Sequence, residues 1–319
     1  MAGVGASPGT ADPAAPSIAY RPATEADLPT CAAIWRSSIN DYTSRLNQPD
    51  IPDDLAAILR LYGHLRSTDP DLFVVAEARR PGEDARTIGF AAAVRRPPLW
   101  FLSMLFIEPV AQGAGVGREL LRRVMPTDPD AATATCTDSV QPISNALYAS
   151  LGIVPRLPLL RLVGLPDRLE ELPALPSGIR PVRLEPGDDP DGVTAPVVTA
   201  SSGFDPGADH AFIRAEGRIG FRYAGPDGRT LGYGYASEAG RVGPAAAVEP
   251  DLLAPIVAHL VTEVEPRGAF GVWVPGAAGA MMIALLRSGF RIDGFPCLVC
   301  WNRPVVDFSR YVPISPGLL

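Results

Sequence analysis

The most restrictive feature of this sequence is a glycine-dense loop inside "LSMLFIEPVAQGAGVGRELLRRV", residues 102–124. The apolar run before the loop predicts a strand at 99–107. After the loop, Val116, Leu120 and Val124 recur at four-residue spacing, which predicts a helix with one buried face. A helix N-terminus carries unpaired N–H groups and the positive end of the helix dipole, so the junction suits an anion, above all phosphate.

Two common phosphate-binding loops do not fit this segment. A P-loop requires Gly-Lys-Ser/Thr, and the chain contains no lysine. A dinucleotide-binding loop, G-x-G-x-x-G, would need glycine where Arg118 stands, and it follows the first strand of its domain. A third pattern, Q/R-x-x-G-x-G/A, is matched by Gln112, Gly115 and Gly117.

With its flanking strand and helix, and with "NALYASLGI" downstream, the segment from about 18 to 164 resembles the GNAT superfamily of acyl-CoA-dependent N-acyltransferases. The resemblance implies an α/β (α+β) fold with a mixed, mostly antiparallel central sheet flanked by helices. It implies acetyl-CoA or another acyl-CoA as co-substrate, no metal, and direct attack by a primary amine of a small molecule in a ternary complex. A non-catalytic acyl-CoA sensor or interaction module on the same fold is the alternative.

The same resemblance implies roles for individual residues. Leu105, Phe106 and Ile107 would offer backbone hydrogen bonds to the pantetheine arm, and the N–H near Phe106 or Ile107 would stabilise the oxyanion. Tyr148 would be the general acid for the departing thiolate. The loop residues that would hold the pyrophosphate are Gln112, Gly113, Ala114, Gly115, Val116 and Gly117, helped by Arg118. The helix before Tyr148 departs from the family motif, with Gln141 at the asparagine position and Ser144 at the alanine position, so Ser144 or Asn145 could take over a cofactor contact.

The substrate side of the resemblance falls on a polar stretch that contains Asn40, Asp41 and Tyr42. Asp41 would suit a cationic amine. The sequence does not assign the general base that must take a proton from the attacking amine. The strand before the loop offers only Ser103 as a polar side chain, and Glu108 lies past its end. The alternatives are therefore Asp41, Asp138 and a water chain.

The second half of the chain resembles the first, which predicts a diverged internal duplication. Val248-Glu249-Pro250 matches Ile107-Glu108-Pro109, and Gly289 matches Gly152. The second copy lacks the glycine loop and has Leu285 where the first has Tyr148. We therefore expect two tandem GNAT-like domains: a disordered tail at 1–16, an acyltransferase domain at 17–164, a proline-rich linker at 165–178 and a degenerate domain at 179–319. Structural support is the favoured role of the second copy, and completion of the substrate pocket or homodimer formation are the alternatives.

Charge and hydropathy limit the classes of partner that this protein can bind. The net charge of −7 argues against nucleic acid or an anionic membrane as the main partner. The sequence has no apolar window long enough to span a membrane and no signal-like start, so we expect a cytoplasmic protein. The alternating apolar context of Cys297 and Cys300 predicts a strand rather than a zinc site.

Overall fold

The computed structural model describes residues 16–185, 188 and 190–319, without the side chains of 190 and 191. The predicted tail at 1–16 lies outside these residues except for residue 16. The chain divides into two compact units. The first unit consists of Met1–Ala92 and Met104–Met125, and the second unit consists of Ala93–Ser103 and Pro126–Leu319.

The first half of the chain contains six strands and four helices among the described residues. In chain order these are β1 (Ser17–Pro22), α1 (Leu28–Arg45), α2 (Ala56–Thr68), β2 (Phe73–Arg79), β3 (Arg86–Arg96), β4 (Leu99–Ile107), α3 (Val116–Val124), β5 (Ala132–Asp138), α4 (Pro142–Ala149) and β6 (Val154–Gly164).

The second half contains eight strands and four helices among the described residues. In chain order these are β7 (Arg180–Arg183), α5 (Pro190–Ala200), α6 (Gly207–Ala215), β8 (Ile219–Ala224), β9 (Thr230–Ala236), β10 (Arg241–Ala247), α7 (Pro250–Glu263), β11 (Phe270–Pro275), α8 (Gly279–Arg287), β12 (Arg291–Ile292), β13 (Cys297–Trp301) and β14 (Tyr311–Val312).

The first unit is built on β1, β2 and the first part of β3, which pair antiparallel in that order. Its core contains Tyr62, Phe73, Phe90 and Phe106, whose rings contact one another at centroid distances of 5.3–5.9 Å. At the entry to α1, a capping box fixes the chain direction, because the Thr24 N–H donates to Asp27 Oδ2 over 2.7 Å.

The second unit contains one continuous mixed sheet in the order β4-β5-β13-β6-β11-β10-β9-β8-β7. Within it, β4 and β5 pair parallel through Leu99–Leu102 and Ala132–Thr135, and β10 and β11 pair parallel at their first residues. The β10–α7–β11–α8 order of the second half thus repeats the β4–α3–β5–α4 order of the first. Two further short strands pair at the side, β12 with β6 and β14 with β10.

In the second unit, strands from the two halves of the chain alternate within the sheet. Strand β13, from the end of the second half, inserts between β5 and β6 of the first half. Strand β6 in turn pairs with β11 of the second half through Leu159–Gly164. The segment at 165–178 belongs to the same unit, and Leu172 and Leu175 pack against its core. The predicted domain boundaries at 164 and 179 stay a prediction.

Most of the predicted elements are confirmed. The predicted strand at 99–107 is β4, and Val116, Leu120 and Val124 are buried as expected. The predicted strand around Cys297 and Cys300 is β13, and both thiols are free. One local difference concerns Asn40, Asp41 and Tyr42, which extend α1 rather than forming a polar stretch after it.

Candidate functional site

The glycine loop makes a sharp entry into α3. After β4 ends at Ile107, a single 3-10 turn at Pro109–Ala111 leads to Gln112, which is extended. Gly113 and Gly115 then adopt φ values of 84° and 81°, and Gly115 is the N-cap of α3. A Cβ atom at either glycine would meet nothing within 4 Å, so the backbone conformation, and not crowding, requires glycine at both positions.

The loop presents backbone donors to solvent. The first helical bond of α3 runs from the Glu119 N–H to the Gly115 carbonyl over 3.1 Å, so the N–H groups of Val116, Gly117 and Arg118 have no partner within the helix. Residues 112–115 are exposed, whereas Val116 is 2% exposed and anchors the helix start. The arrangement is an exposed anion-binding terminus on a firmly packed helix.

The carbonyl of Ile107, at the end of β4, accepts hydrogen bonds from α1 and from the glycine loop. It accepts hydrogen bonds from Ser38 Oγ at 2.9 Å and from Gln112 Nε2 at 3.0 Å. Gln112 therefore holds the loop against the strand through its side chain. Ser38, on α1, is a residue that the sequence did not single out.

Gly89 on β3 is a second residue that the sequence did not reveal. A Cβ atom at this position would lie 2.5 Å from Ile107 Cδ1 and 2.9 Å from the Phe106 carbonyl oxygen. Glycine is required here because the strand carrying Phe106 and Ile107, two of the predicted cofactor-contacting residues, approaches too closely for a side chain.

Tyr148 lies on α4 in the second unit and is 5% exposed. Burial raises the pKa of its hydroxyl, and the nearby thiols of Cys300 and Cys136 raise that pKa further. The hydroxyl therefore stays protonated at neutral pH, which is the state that a proton donor needs.

The start of α4 is organised by two predicted cofactor-binding residues. Gln141 is the N-cap, and the Asn145 amide donates to the carbonyls of Gln141 and Asp138 over 2.8 and 3.1 Å. Asn145 Oδ1 is buried and has no hydrogen-bond partner among the described residues. Ser144, also predicted, is half-buried on the same helix.

The predicted substrate residues have local partners on and beside α1. Asn40 Oδ1 accepts a hydrogen bond from the Ile51 N–H over 2.8 Å, and Asp41 forms an ion pair with Arg45. These residues, Ile107 and the glycine loop belong to the first unit, whereas Gln141, Ser144, Asn145 and Tyr148 belong to the second.

The described residues include no group of three or more His, Cys, Asp or Glu side chains that could hold a metal ion. Among them, no helix is both long and apolar enough to cross a membrane.

Residues 33–153 match the acetyltransferase (GNAT) family. The match includes β4, the glycine loop, α3, β5 and the helix that carries Tyr148. Residues 33–153 are thus similar in sequence to GNAT acetyltransferase domains, and the glycine loop lies inside this match.

Solved structures extend the likeness to almost the whole chain. A protein of Pyrococcus horikoshii assigned as an acetyltransferase has a TM-score of 0.69 at 14% identity, with 94% of this chain and 95% of that chain covered. A GCN5-related N-acetyltransferase from Sphaerobacter thermophilus has a TM-score of 0.58 at 17% identity, with 92% and 98% covered. A tandem GNAT protein from the clavulanic acid biosynthesis pathway has a TM-score of 0.53 at 14% identity, with 90% and 99% covered.

At these identities the likeness establishes the fold alone, a mixed α/β fold with a large mixed sheet and flanking helices that is shared with solved GNAT structures, among them a tandem GNAT protein. No curated protein sequence matches the chain.

Proposed function

We propose that this protein is an N-acyltransferase that moves an acyl group, with acetyl-CoA as the favoured donor, to a primary amine of a small molecule. The observation that carries the proposal is the glycine loop. Two glycines with positive φ expose the unpaired N–H groups of α3 without any side chain in the way, which is what a bound pyrophosphate requires.

In the proposed reaction the amine attacks the thioester carbon directly. A fixed backbone N–H at Phe106 or Ile107 stabilises the oxyanion, and preorganised donors of this kind are among the strongest catalytic devices. Ser38 and Gln112 support that strand end because both donate to the Ile107 carbonyl. Tyr148 gives its proton to the departing sulfur, a step that its protonated state supports.

We propose a structural role for the second half, without a second acyl-CoA site. Its helix α7 has Glu249 as the N-cap and Asp251 in the first turn, where α3 has Gly115 and its open loop. Two carboxylates at a helix N-terminus already complement the helix dipole and repel a pyrophosphate.

Turnover of acetyl-CoA with a panel of primary amines tests the proposal. The panel contains ethanolamine, tyramine, spermidine, glucosamine and lysine, with free CoA followed spectroscopically and the amide by mass spectrometry. Replacing Tyr148 with Phe should lower kcat by about 100-fold or more, because one general acid typically contributes that factor.

Tyr62→Phe is the matched control, since the Tyr62 hydroxyl is buried and has no hydrogen-bond partner among the residues that the structure describes. Its removal should leave turnover unchanged. Binding of acetyl-CoA without acyl transfer to any amine would favour a sensor instead.

A further inference from the structure

The last peptide unit of β4 is held at both of its polar ends within the first unit. The Glu108 N–H donates to the Ile88 carbonyl of β3 over 2.8 Å. The Ile107 carbonyl, in the same peptide unit, accepts from Ser38 Oγ at 2.9 Å and from Gln112 Nε2 at 3.0 Å. The N–H of this peptide unit is therefore fixed by β3, and its oxygen is fixed by α1 and by the glycine loop.

The register between β3 and β4 decides which N–H groups of β4 face away from β3. The two strands are neighbours joined by two residues, so they run antiparallel. In such a ladder, hydrogen-bonded pairs alternate with closer pairs whose N–H and C=O groups point away from the partner strand. Glu108 and Ile88 are at a hydrogen-bonded position. The adjacent pair, Ile107 and Gly89, is of the closer kind, and a Cβ atom on Gly89 would lie 3.3 Å from Ile107 Cα.

This alternation separates the two N–H groups that the proposed reaction leaves open as oxyanion donors. Phe106 is again at a hydrogen-bonded position, opposite Phe90, and the two rings stack at a centroid distance of 5.9 Å. The Phe106 N–H therefore points towards β3. The Ile107 N–H points the other way, to the edge of β4 at which its own carbonyl meets Ser38 and Gln112. Of the two groups, the Ile107 N–H is thus the one directed at a ligand along that edge.

Ser38 is the more firmly placed of the two side chains that hold the Ile107 carbonyl. It is 8% exposed on α1, whereas Gln112 is exposed in the glycine loop. A serine inside a helix often donates its hydroxyl to a carbonyl one turn earlier in the same helix. Ser37 does so, to the Ile34 carbonyl over 3.1 Å. Ser38 instead donates to a strand 69 positions away, so its hydroxyl serves the end of β4 and not its own helix.

We propose that Ser38 is a positioning residue of the acyl transfer, which holds the Ile107 carbonyl so that the Ile107 N–H stays directed at the thioester oxygen. This assignment rests on the proposed function. When the amine attacks and the carbonyl π pair moves to oxygen, the Ile107 N–H donates to the oxyanion without reorienting, which is the property that makes such donors effective. Ser38 acts through the Ile107 peptide and not by contact with a substrate.

The first test follows the backbone amides of Ile107 and Phe106 by proton–nitrogen correlation NMR of the full chain. Acetyl-CoA should move the Ile107 amide proton downfield relative to CoA, which has no thioester carbonyl, and the Phe106 amide should move less. In Ser38→Ala this difference should shrink. Equal positions of the Ile107 amide with acetyl-CoA and CoA, or a larger shift at Phe106, would overturn the assignment.

The second test is kinetic, with the best amine of the panel. Ser38→Ala should lower kcat about 10-fold, less than the roughly 100- to 1,000-fold loss that follows removal of an oxyanion donor itself. Affinity for acetyl-CoA and KM for the amine should stay close to wild type, because the oxyanion forms only in the transition state. Ser38→Thr keeps the hydroxyl and should restore most of kcat.

Ser37→Ala is the matched control, since it removes a hydroxyl that bonds within the same helix. An unchanged kcat in Ser38→Ala, a loss confined to KM, or an equal loss in Ser37→Ala would overturn the role of Ser38. A wild-type enzyme that acylates amines without the Ile107 shift would overturn this assignment alone. If the wild-type protein shows the shift but acylates no amine, the proposed function fails and the role of Ser38 in it fails as well.

Discussion

Gly115 shows how one residue links backbone conformation to ligand binding. Its φ of 81° costs an alanine about 1–2 kcal/mol, although a methyl group there would meet nothing. In Gly115→Ala we expect that strain to turn the first N–H groups of α3 away from the ligand. Affinity for acetyl-CoA should fall at least 10-fold, measured by calorimetric titration.

Gly82→Ala provides the comparison for that variant. Gly82 has a φ of 80° and lies in the turn after β2, where a Cβ atom would likewise meet nothing within 4 Å. Both variants should lose a similar free energy of unfolding, but only Gly115→Ala should lose affinity. Equal affinities in the two variants would show that the loop does not hold the pyrophosphate.

At the residue scale, the sequence predicted those features that depend on residues close together in the chain. The loop pattern, the buried face of α3 and the helix around Tyr148 each depend on spacing within about ten positions. The roles of Ser38 and Gly89 were not predicted, because both residues contact partners that are distant in sequence. Ser38 donates to a carbonyl 69 positions away, and Gly89 is glycine because β4 approaches it. No local pattern records either contact.

Among the elements, β13 was predictable as a strand but its neighbours were not. Its alternating apolar residues indicate a strand with one buried face. Such a pattern does not determine which strands it pairs with. The structure places it between β5 and β6, more than 130 positions earlier in the chain. Cys300 on β13 also acts on the pKa of Tyr148, so this element of the second half shapes the environment of the proposed acid.

This placement predicts how β13 opens. Because both edges of Cys297–Trp301 are paired, the strand should not fray separately from β5 and β6. In native-state hydrogen exchange, the amides of Val299 and of its β5 partner Cys136 should open with the same free energy and the same denaturant dependence. Exchange of β13 at a clearly lower free energy would mean that it is a peripheral addition to the sheet.

A buried ion pair joins distant parts of the second unit. Arg96 donates to both oxygens of Asp209, at 2.8 and 2.7 Å, and the two side chains are 6% and 0% exposed. Replacing Asp209 with Asn removes one charge of a buried ion pair, so we expect a loss of about 3–5 kcal/mol in the free energy of unfolding. Urea denaturation measures the loss, and Asp227→Asn in the turn after β8 is the neutral reference. A loss below about 1 kcal/mol would mean that the pair is solvated in solution.

At the scale of the whole molecule, the predicted internal duplication raises the question of how many acyl-CoA molecules one chain binds. The two halves differ most at the junction of the parallel strand with its helix. In the first half, the glycine loop leaves the start of α3 open. In the second, Glu249 occupies the N-cap position of α7, and the end of β10 pairs with β14, at Ala245 with Val312 and Ala246 with Tyr311. Strand β14 therefore pairs with β10 near the end that corresponds to the part of β4 for which we propose the pantetheine contact.

We accordingly expect calorimetric titration with acetyl-CoA to give one site per chain. Gly115→Ala should weaken that single site at least 10-fold, whereas replacing Glu249 with Gln should leave the stoichiometry unchanged, because β14 still occupies the edge of β10. A stoichiometry of two that falls to one in Gly115→Ala would show that the second half binds acyl-CoA. Strand β14 would then be displaced from the edge of β10 by the ligand. A single site whose affinity is unchanged in Gly115→Ala would place the cofactor away from the glycine loop. Either result would overturn the proposal that acyl-CoA binds at the glycine loop of the first half alone.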